Sequence, residues 1–149
     1  MTELIFSRDE ELAQWAEEIY PDCAPLARPL TAIGVASSEG ALLAVAIYHN
    51  FRYHDIEITF VTSTPSRWAT KATVRSLLHY PFYQLGVKRM SAITKKSNKK
   101  ARNLLEALGF KLEGVHPFAD NGTGAACSYG LYRDNAISKW FPEVELANG

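Results

Sequence analysis

Asp55–Thr62, DIEITFVT, alternates polar and apolar residues, so that Asp55, Glu57 and Thr59 share one face of a strand and Ile56, Ile58 and Phe60 the other. Glu57, on the polar side of an otherwise apolar strand, is therefore a candidate proton acceptor for acid–base chemistry. A solvated carboxylate or a partner for Arg52 explains it equally well, and His49, His54 and Asp55 stand close enough to compete for the role. Further on, residues 61–105 hold ten bases and no acid, whereas residues 1–60 hold ten acids against three bases. Inside a chain of zero net charge, such a segment points to an anionic ligand, either a phosphorylated cofactor or nucleic acid. Lys95, Lys96, Lys99 and Lys100, taken one at a time, read as a solvated helix face. Cys23 and Cys127 lack a CxxC partner or a nearby histidine at ligand spacing, so free thiols in a reducing compartment are expected and no metal.

The elements that position these residues follow from periodicity. Ser7 and Glu10 make a capping box, and Leu12, Trp15, Ala16 and Ile19 mark one face of a helix that Pro21 ends. Pro21, Pro25 and Pro29 make residues 21–30 an irregular connection. Residues 32–36, 41–50 and 55–62 then read as three strands of an antiparallel meander. A helix is expected over 68–85, with Val74, Leu77, Leu78, Phe82 and Leu85 inward, Pro81 kinking it and Gly86 at its end. Strands at 89–94, 110–116 and 126–132 follow, the first two separated by a helix that Ser97 or Asn98 caps and Gly109 stops. Two crossover helices after a meander require a mixed sheet, so the expected fold is α+β, one domain over 1–149. The longest apolar run, 41–48, is too short to span a membrane and the acidic start lacks the basic region of a signal peptide. A soluble, cytoplasmic protein is expected.

The stretch TKKSNKKARNLLEALGFKLEG, residues 94–114, resembles in its order Asn98, Ala101, Gly109, Phe110 the second characteristic motif of the GNAT superfamily of acyl-CoA-dependent N-acyltransferases. The element order is similar to the GNAT fold over nearly the whole chain. Arg67-Trp68-Ala69-Thr70-Lys71-Ala72 stands where that family has a pyrophosphate-binding loop, whose backbone N–H groups at a helix N-terminus cradle coenzyme A, and Thr70 takes the place where glycine is usual. The block STPSRWATKATVRSLLHYPFYQLGVKR also resembles small GNAT proteins often encoded in bacteriophages and prophages.

The resemblance implies acetyl-CoA, or another short acyl-CoA, as co-substrate and no metal. It implies a gap between parallel central strands, in which the pantetheine arm pairs with backbone near Val61, Thr62 and Ser63 while Asn98 reaches its amides. A backbone N–H of the splayed strand polarises the thioester, Glu57 takes the proton of the attacking amine, and Trp68 covers the phosphate loop, stacks on substrate or packs under the helix start. The tyrosine that many members use to protonate the leaving thiolate falls on Leu105 and is absent. The implied acceptor is an amine on a small molecule or a protein, and a homodimer is compatible. Two rivals stand beside this reading: a nucleic-acid-binding module using residues 61–105, disfavoured because no aromatic residue lies among the lysines of 94–102, and a GNAT-fold protein that has lost catalysis.

Overall fold

The three strands read in residues 32–62 form an antiparallel meander in a seven-stranded sheet; the computed structural model describes residues 2–63 and 68–143. Its strands are β2 (Leu30–Ser37), β3 (Leu42–His49) and β4 (Asp55–Thr62), with His49 directly opposite Glu57. The strand β1 (Thr2–Ile5) adds an edge against β2, and α1 (Asp9–Ile19) connects the two. From β4 the chain crosses through α2 (Lys71–His79) to β5 (Arg89–Lys95), then through α3 (Lys99–Leu108) to the hairpin of β6 (Lys111–Asp120) and β7 (Gly124–Tyr132), and finishes in α4 (Arg133–Trp140). The order across the sheet is β1-β2-β3-β4-β5-β7-β6, and β4–β5 is the one parallel pair among them. This is the mixed α+β architecture that the element order requires.

The two faces of β4 enter different cores. On one face Val61 joins Val45, Ile47 and Ala32 beneath Leu12, Ala13 and Ala16 of α1. Here Gly34 lets α1 approach, since a Cβ at that position would stand 2.9 Å from Leu12 Cδ2. On the other face Ile56 and Ile58 pack with Val74, Leu77, Leu78 and Phe82, as the expected inward positions require, and with Leu105 and Leu108 of α3. Glu57 and Thr59 share the α1 face with Val61, by strand alternation. Each of these side chains is thereby fixed relative to the end of the sheet by a full hydrophobic layer.

The structure corrects the sequence reading at both ends and at two helices. Ser7 does not cap α1: it takes a left-handed conformation (φ 62°), Arg8 stands at the cap position, and Asp9 Oδ1 accepts the Ala32 N–H at 2.9 Å instead. The helix expected over 68–85 is α2 alone followed by one wide π-helical turn, Tyr80–Leu85; Pro81, with no N–H to give, is absorbed in that turn, and Gly86 ends it at φ 73°. Neither β1 nor α4 was expected. Four residues at a sheet edge carry too short an alternation to read, and α4 buries only Ala136, so it shows no apolar stripe.

Candidate active site

The parallel ladder between β4 and β5 is short. It joins Asp55 to Arg89, Ile56 to Met90 and Glu57 to Ser91, and there it stops although β4 runs on to Thr62 and β5 to Lys95. The strands part into a cleft of about 590 Å³, with Thr59 and Phe60 on the β4 wall, Ile93 and Lys95 on the β5 wall, and Asn98 and Leu105 of α3 at its end. Along β4 the direction of the backbone groups alternates: the Ser63 N–H goes to Leu43 of β3, while the His54 carbonyl accepts from Lys88 and Arg89 on the β5 side. Phe60 and Thr62 therefore turn their N–H and C=O into the opening, beyond the last β5 pair. At the mouth, Lys95 Nζ meets Asp22 of the α1–β2 connection at 2.6 Å and Asp120 of the β6–β7 hairpin at 3.8 Å. The bond to Asp22 raises the Lys95 pKa above its ordinary value.

On the α1 face of this wall the polar residues form one connected group. The Glu57 Oε2 accepts from Asn50 Nδ2 at 2.9 Å and lies 3.1 Å from His49 Nδ1, while His49 Nε2 lies 3.0 Å from Thr59 Oγ1. His49 is 8 % exposed, and burial pushes its pKa down, partly offset by the charge of Glu57. Nδ1 also lies 3.3 Å from Asn50 Nδ2, but the shorter contact is to the carboxylate, and one arrangement of the neutral ring serves Glu57 and Thr59 together. Nδ1–H donates to the carboxylate, and Nε2 accepts from the threonine hydroxyl. The competing candidates are engaged elsewhere: Asp55 accepts from Ser91 Oγ at 2.8 Å and from Arg52 at 2.6 Å, and His54 stands exposed in the β3–β4 turn. Arg52 therefore pairs with Asp55 and not with Glu57.

Comparison with solved structures identifies this splayed sheet. Over 93 % of this chain and 96 % of the other, it superposes on a spermidine/spermine N-acetyltransferase of Vibrio cholerae with a TM-score of 0.70 at 15 % identity. A ribosomal-protein-S5-alanine acetyltransferase of Vibrio fischeri gives 0.68 at 14 % identity, covering 90 % of this chain and 94 % of that one. A GNAT-family acetyltransferase of Bacillus anthracis gives 0.60 at 19 % identity, over 69 % of this chain and 66 % of that one. The chain has the GNAT fold. No protein-family model matches it, and no curated protein matches it in sequence.

Set in the GNAT fold, the residues singled out from the sequence divide into two groups. Glu57, Val61, Thr62 and Asn98 line the cleft, although Val61 is itself buried under α1. Ser63 and residues 68–72 stand outside that lining. The N–H and hydroxyl of Ser63 are bound to carbonyls of Leu42 and Leu43 in β3. Arg67 lies outside the described residues. Trp68 is 4 % exposed and packs with its ring centroid 5.9 Å from that of Phe60, so of its three readings the structure favours packing under the helix start. Ala69, Thr70, Lys71 and Ala72 are exposed at the start of α2, where the Lys71 and Ala72 N–H groups have no hydrogen-bond partner among the described residues. Thr70 is the cap: its Oγ1 accepts the Thr73 N–H at 3.3 Å and donates to Thr73 Oγ1 at 3.0 Å.

Asn98, which lines the cleft, caps α3 through Oδ1, which accepts the Ala101 N–H at 3.1 Å; Nδ2 has no hydrogen-bond partner among the described residues. Of the cations in 61–105, Arg75 pairs with Glu143, Arg89 with Glu113, and Arg102 with the Tyr129 hydroxyl and the Lys96 carbonyl. Lys100 lines the cleft. Thr59, Asn50, Asp22, Lys95 and Asp120 are site residues that sequence reasoning did not assign. For Asn50 and Thr59 the β3–β4 register, which sets His49 against Glu57, was the available signal, and it required pairing two strands residue by residue.

Proposed function

We propose that this chain is an acyl-CoA-dependent N-acyltransferase that moves an acetyl group from acetyl-CoA to a primary amine. The observation that carries this is the ladder ending at Glu57 and Ser91, which opens a cleft with a partnered carboxylate on one wall and a spare amide donor, Asn98 Nδ2, at its end. In this reading the pantetheine arm fills the gap as an added strand, on the backbone groups of Phe60 and Thr62, and Asn98 donates to one of its amides. The first-turn N–H groups of α2 at Lys71 and Ala72 meet the pyrophosphate, and a β4 N–H polarises the thioester carbonyl. The amine attacks directly and the cluster around Glu57 receives its proton. Leu105, buried in the core, offers no proton to the sulfur; a thiol pKa near ~8.5 lets coenzyme A leave as thiolate. The solved proteins with this fold act on spermidine and on a ribosomal protein, which supports an amine acceptor.

The test is differential stabilisation followed by turnover. Acetyl-CoA at about 100 times its dissociation constant stabilises the fold by about 2.7 kcal/mol, which raises the melting temperature by roughly 5 to 10 °C. Thiol release from acetyl-CoA in the presence of a panel of primary amines, spermidine and an N-terminal alanine peptide among them, then identifies the acceptor. Stabilisation by an oligonucleotide and none by acetyl-CoA overturns the proposal in favour of a nucleic-acid-binding module.

A further inference from the structure

Resting on that acyltransferase reading, we propose that Thr59 and His49 form the path that takes the proton from the acceptor amine, with the threonine hydroxyl as the group that meets the amine and Glu57 as the carboxylate that holds the protonated ring. Position makes the case first. Glu57 belongs to the last residue pair that still closes the β4–β5 ladder, whereas Thr59 is the next residue on the same face and the first beyond that pair. A thioester lying in the opening is therefore beside Thr59 before it is beside Glu57.

Connectivity makes it second. The Glu57 Oε2 already holds the Asn50 amide at 2.9 Å and faces His49 Nδ1 at 3.1 Å, and from His49 the chain of contacts continues to Thr59 Oγ1 at 3.0 Å. A hydroxyl, an imidazole and a carboxylate thus stand in sequence along the cleft wall, each within hydrogen-bond reach of the next. Burial favours the neutral ring, and with Nδ1–H turned to the Glu57 carboxylate its Nε2 is the acceptor. On the β2 side His49 pairs with Leu30, and Pro25, Leu26 and Ala27 of the connection line the same cleft; none of these ionises, and the charge that acts on His49 is Glu57.

The step balances without a further reagent. The amine nitrogen bonds to the acyl carbon, the carbon–sulfur bond breaks and its electron pair leaves with the sulfur. The proton lost by the nitrogen goes to Thr59 Oγ1, the proton of that hydroxyl goes to His49 Nε2, and Glu57 holds the imidazolium through Nδ1–H. In these terms Thr59 is a catalytic residue, and His49 is a positioning residue that acts through it.

Two experiments decide the proposal. Nitrogen-15 NMR of the histidine rings in the protein without ligand is expected to show His49 neutral at pH 7, with the proton on Nδ1; a proton on Nε2, or a charged ring at that pH, overturns the path whether or not an acceptor is known. With the best amine of the panel, Thr59→Val and His49→Gln are each expected to lower turnover at pH 7 on the order of 10²-fold with unchanged acetyl-CoA affinity, and Thr59→Ser to restore it. Wild-type turnover in Thr59→Val and His49→Gln, with their melting curves intact, overturns the path and leaves Glu57 acting alone. A mass gain of one acetyl group on Thr59 after incubation with acetyl-CoA also overturns it, because the hydroxyl is then a nucleophile. Absence of acetyl-CoA binding is a different failure, and it falls on the acyltransferase reading itself.

Discussion

The two walls of the cleft are built differently. On the β4 wall the polar side chains are partnered before any ligand arrives: Glu57, Asn50, His49 and Thr59 hold one another over strand pairs fixed by the sheet. On the opposite side Ile93 is 60 % exposed, Lys100 reaches the cleft, and Asn98 keeps a donor in reserve. Side chains whose hydrogen bonds are already made suit chemistry, because their geometry needs no reorganisation when charge moves. A wall with spare donors and cations suits binding. Each central strand is followed in the chain by a capped helix, and the two caps show the same contrast. The Thr70 hydroxyl is occupied on both its donor and its acceptor side, whereas Asn98 carries a second functional group that its cap does not use.

If that division holds, variants of the two walls separate turnover from affinity. The largest effect is expected from Glu57→Gln, which should lower turnover at pH 7 by about 10²-fold or more and recover part of it near pH 9, where less of an amine of pKa near ~10.4 is protonated; acetyl-CoA affinity should stay unchanged. Loss of affinity with intact turnover would assign Glu57 to the binding wall and end the contrast. Asn98→Asp keeps an oxygen for the α3 cap and removes the donor. It should weaken acetyl-CoA binding by the worth of one hydrogen bond, about 0.5 to 1.5 kcal/mol, as measured by calorimetry, with the melting temperature held.

Asn98→Ala should show the same weakening together with about 1 kcal/mol of lost stability. Thr70→Ala sharpens the comparison of caps, since it should lose about 1 kcal/mol of stability on a denaturant curve while acetyl-CoA affinity changes less than in Asn98→Asp. The smallest effect concerns pH. Burial lowers the His49 pKa from 6.5, so below that pH the unfolded chain takes up a proton that the folded chain resists, and stability falls as pH drops. His49→Gln should lose this component, and its melting temperature should decline less than that of the wild type between pH 7 and pH 5.

How far the sequence revealed this molecule depended on whether a feature was local. β4 ran over 55–62 as its alternation required, and Asn98 and Gly109 bounded α3 as cap and stop, because each is decided by residues within a few positions. Ser7 misled for the same reason. Its capping-box spacing was right, but Asp9 is held by the Ala32 N–H across the connection, a contact that no short window contains. Glu57 was legible as a polar residue on an apolar strand, whereas the contacts that give it a role come from β3 and needed the register. Trp68 shows the converse, because an aromatic residue beside a glycine-poor loop reads equally as a ligand contact or as core, and only its burial decides.

Lys95 ties two separate segments of the chain together. One ammonium joins the connection after α1 to the β6–β7 hairpin across the mouth of the cleft, and all three groups are partly exposed. An exposed ion pair is worth about 0 to 1 kcal/mol, so the tie is broken for roughly a sixth to a half of the time by thermal energy alone. Salt screens both contacts, so added salt raises the fraction of time that the two segments are untied.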